Sequence, residues 1–336
     1  METVETEHFD LLLILVALAL GIGSVGAWFA IFDRLKSGPI LPFEPRRPVP
    51  WHGAFSLVPV ALVVATLVSA LTAGDTSKST ELPSTNDIVE RIAAGSALQT
   101  SLVVAFLAVV VVSSGAKWSD LGLPKDATEL ARDIRIGVVA WLAAIAPVYA
   151  TQVAFILLFG PGEGHLLVNV VEKHPDPLTF LVAFLAAVIM APLCEEPMFR
   201  LVLQGSLEKW EDRRLDWRTP PPAPLETVTL VENLEGAEPL VHATQVVAEP
   251  ASPPEPPVIG VGGLPYGWVP IIVSALLFGL AHFGYGPEPV PLFLLGLILG
   301  YVYQRTHRIV PSMVAHALFN SMTLFALWRY MSAGKP

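Results

Sequence analysis

LTFLVAFLAAVIMAPLCEEPMFRLVLQGSLEKW, residues 178–210, is apolar for most of its length and carries two adjacent carboxylates, Glu195 and Glu196, at its middle. A bilayer core of roughly 30 Å takes about 20 mostly apolar residues per helix, so this run can span it. An ionisable residue at that depth costs about 2.5–3.5 kcal/mol on insertion scales, which makes it a functional hypothesis by default. At helical spacing Glu196 and Arg200 are i and i+4 and can pair on one face. Glu195 points about 100° away and has no such local partner. The spacing predicts a structural Glu196, neutralised by Arg200, and a Glu195 left for acid–base work. Pro197 lacks an amide proton and crowds the carbonyl of Leu193, which predicts a kink beside the pair.

The rest of the chain reads the same way. Apolar stretches at 11–32, 54–73, 97–114, 136–159, 178–204, 268–283, 290–303 and 309–330 predict an all-α, polytopic membrane helix bundle of about eight transmembrane helices. Residues 1–177 hold the first four, and 178–336 hold the remaining four. Only 15% of residues are charged, against roughly 25% in a soluble domain. A net charge of −10 offers no basic face for nucleic acid. The single cysteine, Cys194, excludes an intramolecular disulfide framework. The acidic start, METVETEHFD, lacks the positive region of a secretory signal, so 11–32 reads as a retained helix.

Lysine and arginine alternate from loop to loop. Arg34, Lys36, Arg46 and Arg47 follow the first stretch, and Lys117, Lys125, Arg132 and Arg135 the third. Lys209, Arg213, Arg214 and Arg218 follow the fifth, and Arg305 and Arg308 the seventh. The intervening loops hold only Lys78, Arg91 and Lys173. Basic loops stay cytoplasmic, so both termini are expected outside the cytoplasm, in a multi-pass protein of the cell membrane. Residues 211–265, rich in Pro and Glu as in RTPPPAPLE and AEPASPPEPP, read as a disordered cytoplasmic insertion. Within it TVTLVENLEG could form a short element.

Two further segments carry polar residues at one-turn spacing: Phe278 and His282 in SALLFGLAHFGYG, and His316 and Asn320 in PSMVAHALFN. A His and an amide on one face can together bind a carbonyl or an oxyanion. Depth allows a common site. From Glu195 down to Trp210 is ~22 Å of helix, and from Trp268 up to His282 is ~21 Å. His316 climbs only ~12 Å from Arg308, which places it nearer the cytoplasm unless its helix tilts.

Glu195-Glu196-Pro197-Met198-Phe199-Arg200, then Phe278 to His282, then His316 to Asn320, resembles the pattern E-E-x-x-x-R, F-x-x-x-H, H-x-x-x-N of the CPBP family. These are the CAAX proteases and bacteriocin-processing enzymes, also called the ABI family. The resemblance covers roughly residues 178–330. It implies an eight-helix intramembrane endopeptidase in which Glu195 and His282 activate water while His316 and Asn320 stabilise the oxyanion. Glu196 and Arg200 then have a supporting role. The chain departs from the pattern at Leu201, where a Gly often follows the motif Arg, and in the long insertion between the first two motifs.

Other readings of the same residues exist. Glu195, His282 and His316 could supply a His₂Glu set to a divalent metal such as zinc, although no H-E-x-x-H is present. A Glu–His dyad can also activate water without metal, but the family resembled is often labelled metallopeptidase, so the resemblance favours the metal. Intramembrane Glu and His can belong to the proton relay of a secondary transporter, but the chain shows no internal repeat. A non-catalytic membrane scaffold is the third reading. Asn320 can be interhelical glue, and Phe199, Phe278 and Phe319 read as packing. The partners expected are the lipid bilayer and a membrane-associated protein or peptide substrate.

Overall fold

A computed structural model describes residues 2–72, 84–160, 166–174, 176–215, 264, 266–284 and 288–332. Every regular element of more than a residue among them is a helix. In chain order these are α1 (Glu2–Ser37), α2 (Leu57–Thr72), α3 (Thr85–Ser114), α4 (Ala127–Phe159), the short α5 (Leu166–Lys173), α6 (177–215), α7 (Val269–Leu280), α8 (Pro289–Thr306) and α9 (Ile309–Ser332). Six of them are long and apolar enough to cross a membrane: α1, α2, α3, α4, α6 and α9. The protein is thus a multi-pass helical membrane protein, with α7 and α8 falling short of that criterion. Its polarity is inverted relative to a soluble bundle. Large apolar side chains such as Ile22, Phe29, Leu71, Val112 and Leu157 face outward, while Asp133, Glu196, Arg200, Gln204 and Glu208 are buried.

Several boundaries differ from the apolar stretches. Helix α3 starts at Thr85 rather than 97, because Ser84 and Asp87 form a capping box that makes a charged first turn a good start. Helix α4 starts at Ala127, capped by Asp126. Helix α6 runs on to residue 215, so residues 211–215 of the expected insertion are helical. Residues 216–263 and 265 of that insertion, TVTLVENLEG included, lie outside the described residues, and Leu264, expected in the disordered stretch, is fully buried.

Prolines inside helices leave carbonyls without donors, and neighbouring helices supply them. Pro147 has no N–H to give Ala143, and the Trp28 indole of α1 donates to that carbonyl at 3.0 Å. Small residues set the closest approaches. A Cβ on Gly137 of α4 would meet Pro311 and Val314 of α9 at 2.7 Å, and one on Gly296 of α8 would meet Ala275 of α7 at 2.9–3.0 Å. Helices α4, α6, α7, α8 and α9 thereby close around one core containing Met198, Phe199, Phe278, Leu295, Ala315 and Phe319. Leu201 packs with Val49, Trp51, Tyr303 and Ile309, so a side chain fills the place where the family pattern has glycine.

The basic loops meet at one end of the bundle. Arg46 pairs with Glu208, Arg47 with Asp120, and Arg132 with Glu44. Lys209 donates to the Trp51 carbonyl and Arg305 to that of Leu41, each at 2.8 Å. Arg308 is buried between Asp133 (2.5 Å) and Glu129 (3.1 Å). The Arg47 guanidinium holds the Asp120 carboxyl below the usual carboxylate range. His307, between α8 and α9, adopts a left-handed φ of 49°. Its Nδ1 lies 2.7 Å from the Glu44 carbonyl, and Phe43, Tyr266 and Tyr303 surround its ring.

Burial pushes the His307 pKa down to about 4, while an unfolded His titrates near ~6.5. Between these values the unfolded chain binds a proton that the folded one refuses, so stability is full above ~6.5 and falls as pH drops toward 4, by about 2 kcal/mol at pH 5. His307→Asn tolerates the left-handed turn and can still donate to Glu44, but it does not titrate. Thermal midpoints in detergent at pH 7.5 and 5 should therefore converge in this variant. An unchanged acid sensitivity would refute the role given to His307.

Candidate active site

Helix α6 builds the site by departing from α geometry. It widens to π pitch over Leu185–Met190 and again over Pro197–Gln204, on either side of the paired carboxylates. In the first wide turn the Ala191 N–H bonds the Ala186 carbonyl, and Pro192 has no N–H, so the Ala187 carbonyl loses its backbone donor. Asn320 of α9 supplies one, with Nδ2 donating at 2.8 Å. This bond fixes α9 against α6 and leaves Asn320 a second amide proton. In the second wide turn Pro197 keeps helical dihedrals, φ −60° and ψ −37°, and the helix runs on through it at π pitch.

The two carboxylates then diverge. Glu196 is fully buried and accepts from Arg200 Nε at 3.2 Å, as its spacing predicts. It also meets His316 Nδ1 at 2.9 Å, which no local pattern reveals because α9 supplies that partner. Arg200 continues inward, donating from Nη1 to Ser274 Oγ at 2.8 Å and stacking over Phe278 at 5.2 Å. Ser274 in turn donates to the Phe199 carbonyl at 2.8 Å, tying α7 to the wide turn of α6. Ser274 gives no signal in the sequence beyond a lone hydroxyl in an apolar helix. Gln204 and Glu208 were also missed. With Glu196 and Arg200 they form a stripe of buried polar residues at every fourth position of α6.

Glu195 faces the other way. Its Oε2 lies 4.0 Å from His282 Nε2 and 3.9 Å from His316 Nε2, and it accepts no hydrogen bond. His282 sits just beyond the end of α7, in a turn where its N–H bonds the Gly279 carbonyl at 3.0 Å. That leaves the Phe278 carbonyl, four residues back, for its own Nδ1 at 2.9 Å. The F-x-x-x-H spacing thus lets the imidazole cap the helix that carries it. With Nδ1–H on Phe278 for His282, and on Glu196 for His316, both rings turn Nε2 toward Glu195. His316 therefore lies as close to Glu195 as His282 does. The lower position that the count from Arg308 gave for an untilted helix is not seen.

Two cavities meet at this point. One, of about 480 Å³, is lined by Glu195, His282, His316 and Asn320 and extends to Arg91 and Glu288. The other, of about 840 Å³, runs along α2 past Leu62 and Val63. Gln99, Cys194, Glu195 and His282 line both.

Residues 259–322 match the family model of the type II CAAX prenyl endopeptidase Rce1-like proteins. This segment is similar to that family. It holds Phe278, His282, His316 and Asn320, while Glu195, Glu196 and Arg200 precede it and are brought to it by the fold. The resemblance to CAAX-type peptidases read from the motifs therefore has support over this segment. No curated protein and no solved structure matches the chain.

The His₂Glu set has the right donors for zinc but not the spacing. Ligands at ~2.0–2.1 Å from zinc lie about 3.4 Å apart in a tetrahedron. At 3.9 and 4.0 Å, the angles at the ion would open to about 150°. Among the described residues no group of three His, Cys, Asp or Glu is placed to hold a metal ion. A water about 2.8 Å from each atom closes the same separations at about 90°.

Proposed function

We propose that the protein is an intramembrane endopeptidase, CAAX-protease-like, which hydrolyses a peptide bond with a water activated by Glu195 and histidine. The observation that carries this reading is the convergence of His282 Nε2 and His316 Nε2 on a Glu195 oxygen that accepts no hydrogen bond, inside a cavity shared by all three. Glu195 takes a proton from the water as its oxygen attacks the carbonyl carbon. The carbonyl oxygen becomes an oxyanion, facing the second amide proton of Asn320 and, when His316 is protonated, its Nε2–H. Collapse breaks the C–N bond, and the leaving amine takes the proton from Glu195. Glu196 and Arg200 hold His316 in register and touch no substrate.

We read α7 and α8 as the remaining two of eight membrane passes, with the basic end cytoplasmic and both termini opposite. The meeting of loops 38–56, 115–126 and 307–308 at one end supports that alternation. Single cysteines at Ser84 and Lys117, in a Cys194→Ala background, should label from opposite sides of sealed membranes; labelling from one side removes the topology. Reconstituted protein should cleave a membrane-associated peptide substrate, and donors spaced for water rather than zinc should let the rate survive a chelator. Loss of activity on chelation, restored by zinc, would assign the His₂Glu set to a metal instead.

A further inference from the structure

We propose that Gln99 is a substrate-binding residue, whose side-chain amide pairs with the backbone of an extended peptide where the chain crosses from one cavity to the other. The inference rests on the peptidase reading and adds to it a group that lies in none of the three motifs. Four residues line both cavities: Gln99, Cys194, Glu195 and His282. Glu195 and His282 face the water to be activated, and the Cys194 thiol donates to Thr100 Oγ1 at 3.6 Å. Gln99 is left. Among the described residues its amide has no hydrogen-bond partner. Gln152 of α4 lines the first cavity but not the second, so it does not stand where they join.

Helix α3 carries this amide at mid-length, ~21 Å along from Thr85 and ~22 Å from Ser114. It lies on the inner face, since Val103, one turn on, is buried in the core while Leu98 and Leu102 point outward. The Cys194–Thr100 contact sets this part of α3 against α6 beside Glu195. Gly95, one turn before Gln99, lines the first cavity, and a Cβ there would meet nothing within 4 Å. In the second cavity α2 presents the small side chains of Ala65, Thr66, Ser69 and Ala70. An amide without partners at this depth is costly, and what enters the cavities supplies them. A peptide has the matching groups. For a water on Glu195 to reach a carbonyl carbon the chain must be extended there, and its N–H and C=O then lack the partners a helix gave them. An extended residue presents both groups on one edge. The Gln99 carbonyl oxygen accepts from that N–H and its NH₂ donates to that C=O, as a neighbouring strand would. Pairing of this kind reads main chain rather than side chains, and it fixes how far the chain slides past His316 and Asn320.

Full-length protein in detergent, with a quenched peptide library and then one peptide that it cleaves, tests this. Gln99→Met keeps the length of the side chain and removes the amide, and Gln99→Leu provides a second variant should the first fold poorly. Either should lower kcat/KM by roughly 10- to 100-fold, mainly through KM. The thermal midpoint should not move, because the amide bonds nothing in the fold. Copies of the peptide methylated at one backbone nitrogen at a time separate a substrate contact from a structural role. With the native protein, methylation at one position beside the scissile bond should cost about tenfold, and in Gln99→Met that same methylation should cost nothing further. Losses that multiply at every position, or cleavage by Gln99→Met at the native rate, overturn the proposal. With no peptide cleaved the peptidase reading falls, and retention of the library on immobilised Glu195→Gln protein decides the role of Gln99 separately. Retention weakened by adding Gln99→Met supports that role, and equal retention, or none, overturns it.

Discussion

Glu195→Gln is expected to cut peptide cleavage by about 10³-fold or more while leaving the thermal midpoint and detergent behaviour unchanged. The amide is nearly isosteric and cannot take a proton from water. Glu195 makes no hydrogen bond to the core that the fold would miss, since its Oε2 accepts none. The result therefore separates chemistry from folding in one variant. Turnover that survives in Glu195→Gln would remove the enzyme assignment.

Glu196→Ala is expected to fail in the opposite way. It strips the carboxylate from a fully buried Arg200, at a cost of roughly 3–5 kcal/mol, and should lower the unfolding midpoint sharply. It also releases His316 Nδ1 from its 2.9 Å contact, so any protein that does fold should be slow as well. Glu196→Ala with Arg200→Met removes both charges together, and most of the stability should return. Activity should not return, because His316 would still lack its partner. A double variant that regains full cleavage would show that His316 needs no support from Glu196.

Much of this was legible because membrane helices make polarity conspicuous. Glu195, Glu196 and Arg200 stand out in residues 178–210, and the i, i+4 rule alone assigns Glu196 to Arg200, as observed. Local spacing also placed His316 and Asn320 on one face, and both line the cavity with Glu195. Partners from distant segments were not legible. The bonds of Ser274 to Arg200, of His316 to Glu196 and of Asn320 to Ala187 are set by how helices pack. The starts of α3 and α4 were missed because capping by Ser84 and Asp126 depends on side-chain hydrogen bonds, to which an apolarity scan is blind. Pro197 signalled a disturbance in α6 correctly, but π pitch and a kink read alike in sequence.

The polar stripe of α6 has a consequence for biosynthesis. A segment carrying Glu195, Glu196, Arg200 and Glu208 inserts poorly by itself, since each central charge costs about 2.5–3.5 kcal/mol. When α6 leaves the ribosome, Arg46 has already been made and can receive Glu208 at once. Ser274 and His316, which complete the bonds of Arg200 and Glu196, are still 74 and 120 residues from those partners along the chain. The upper half of α6 must therefore wait, half-paired, until the last helices are translated. Truncation after residue 215 should leave a chain that the membrane quality-control machinery recognises and degrades, although every residue of the first six helices is present.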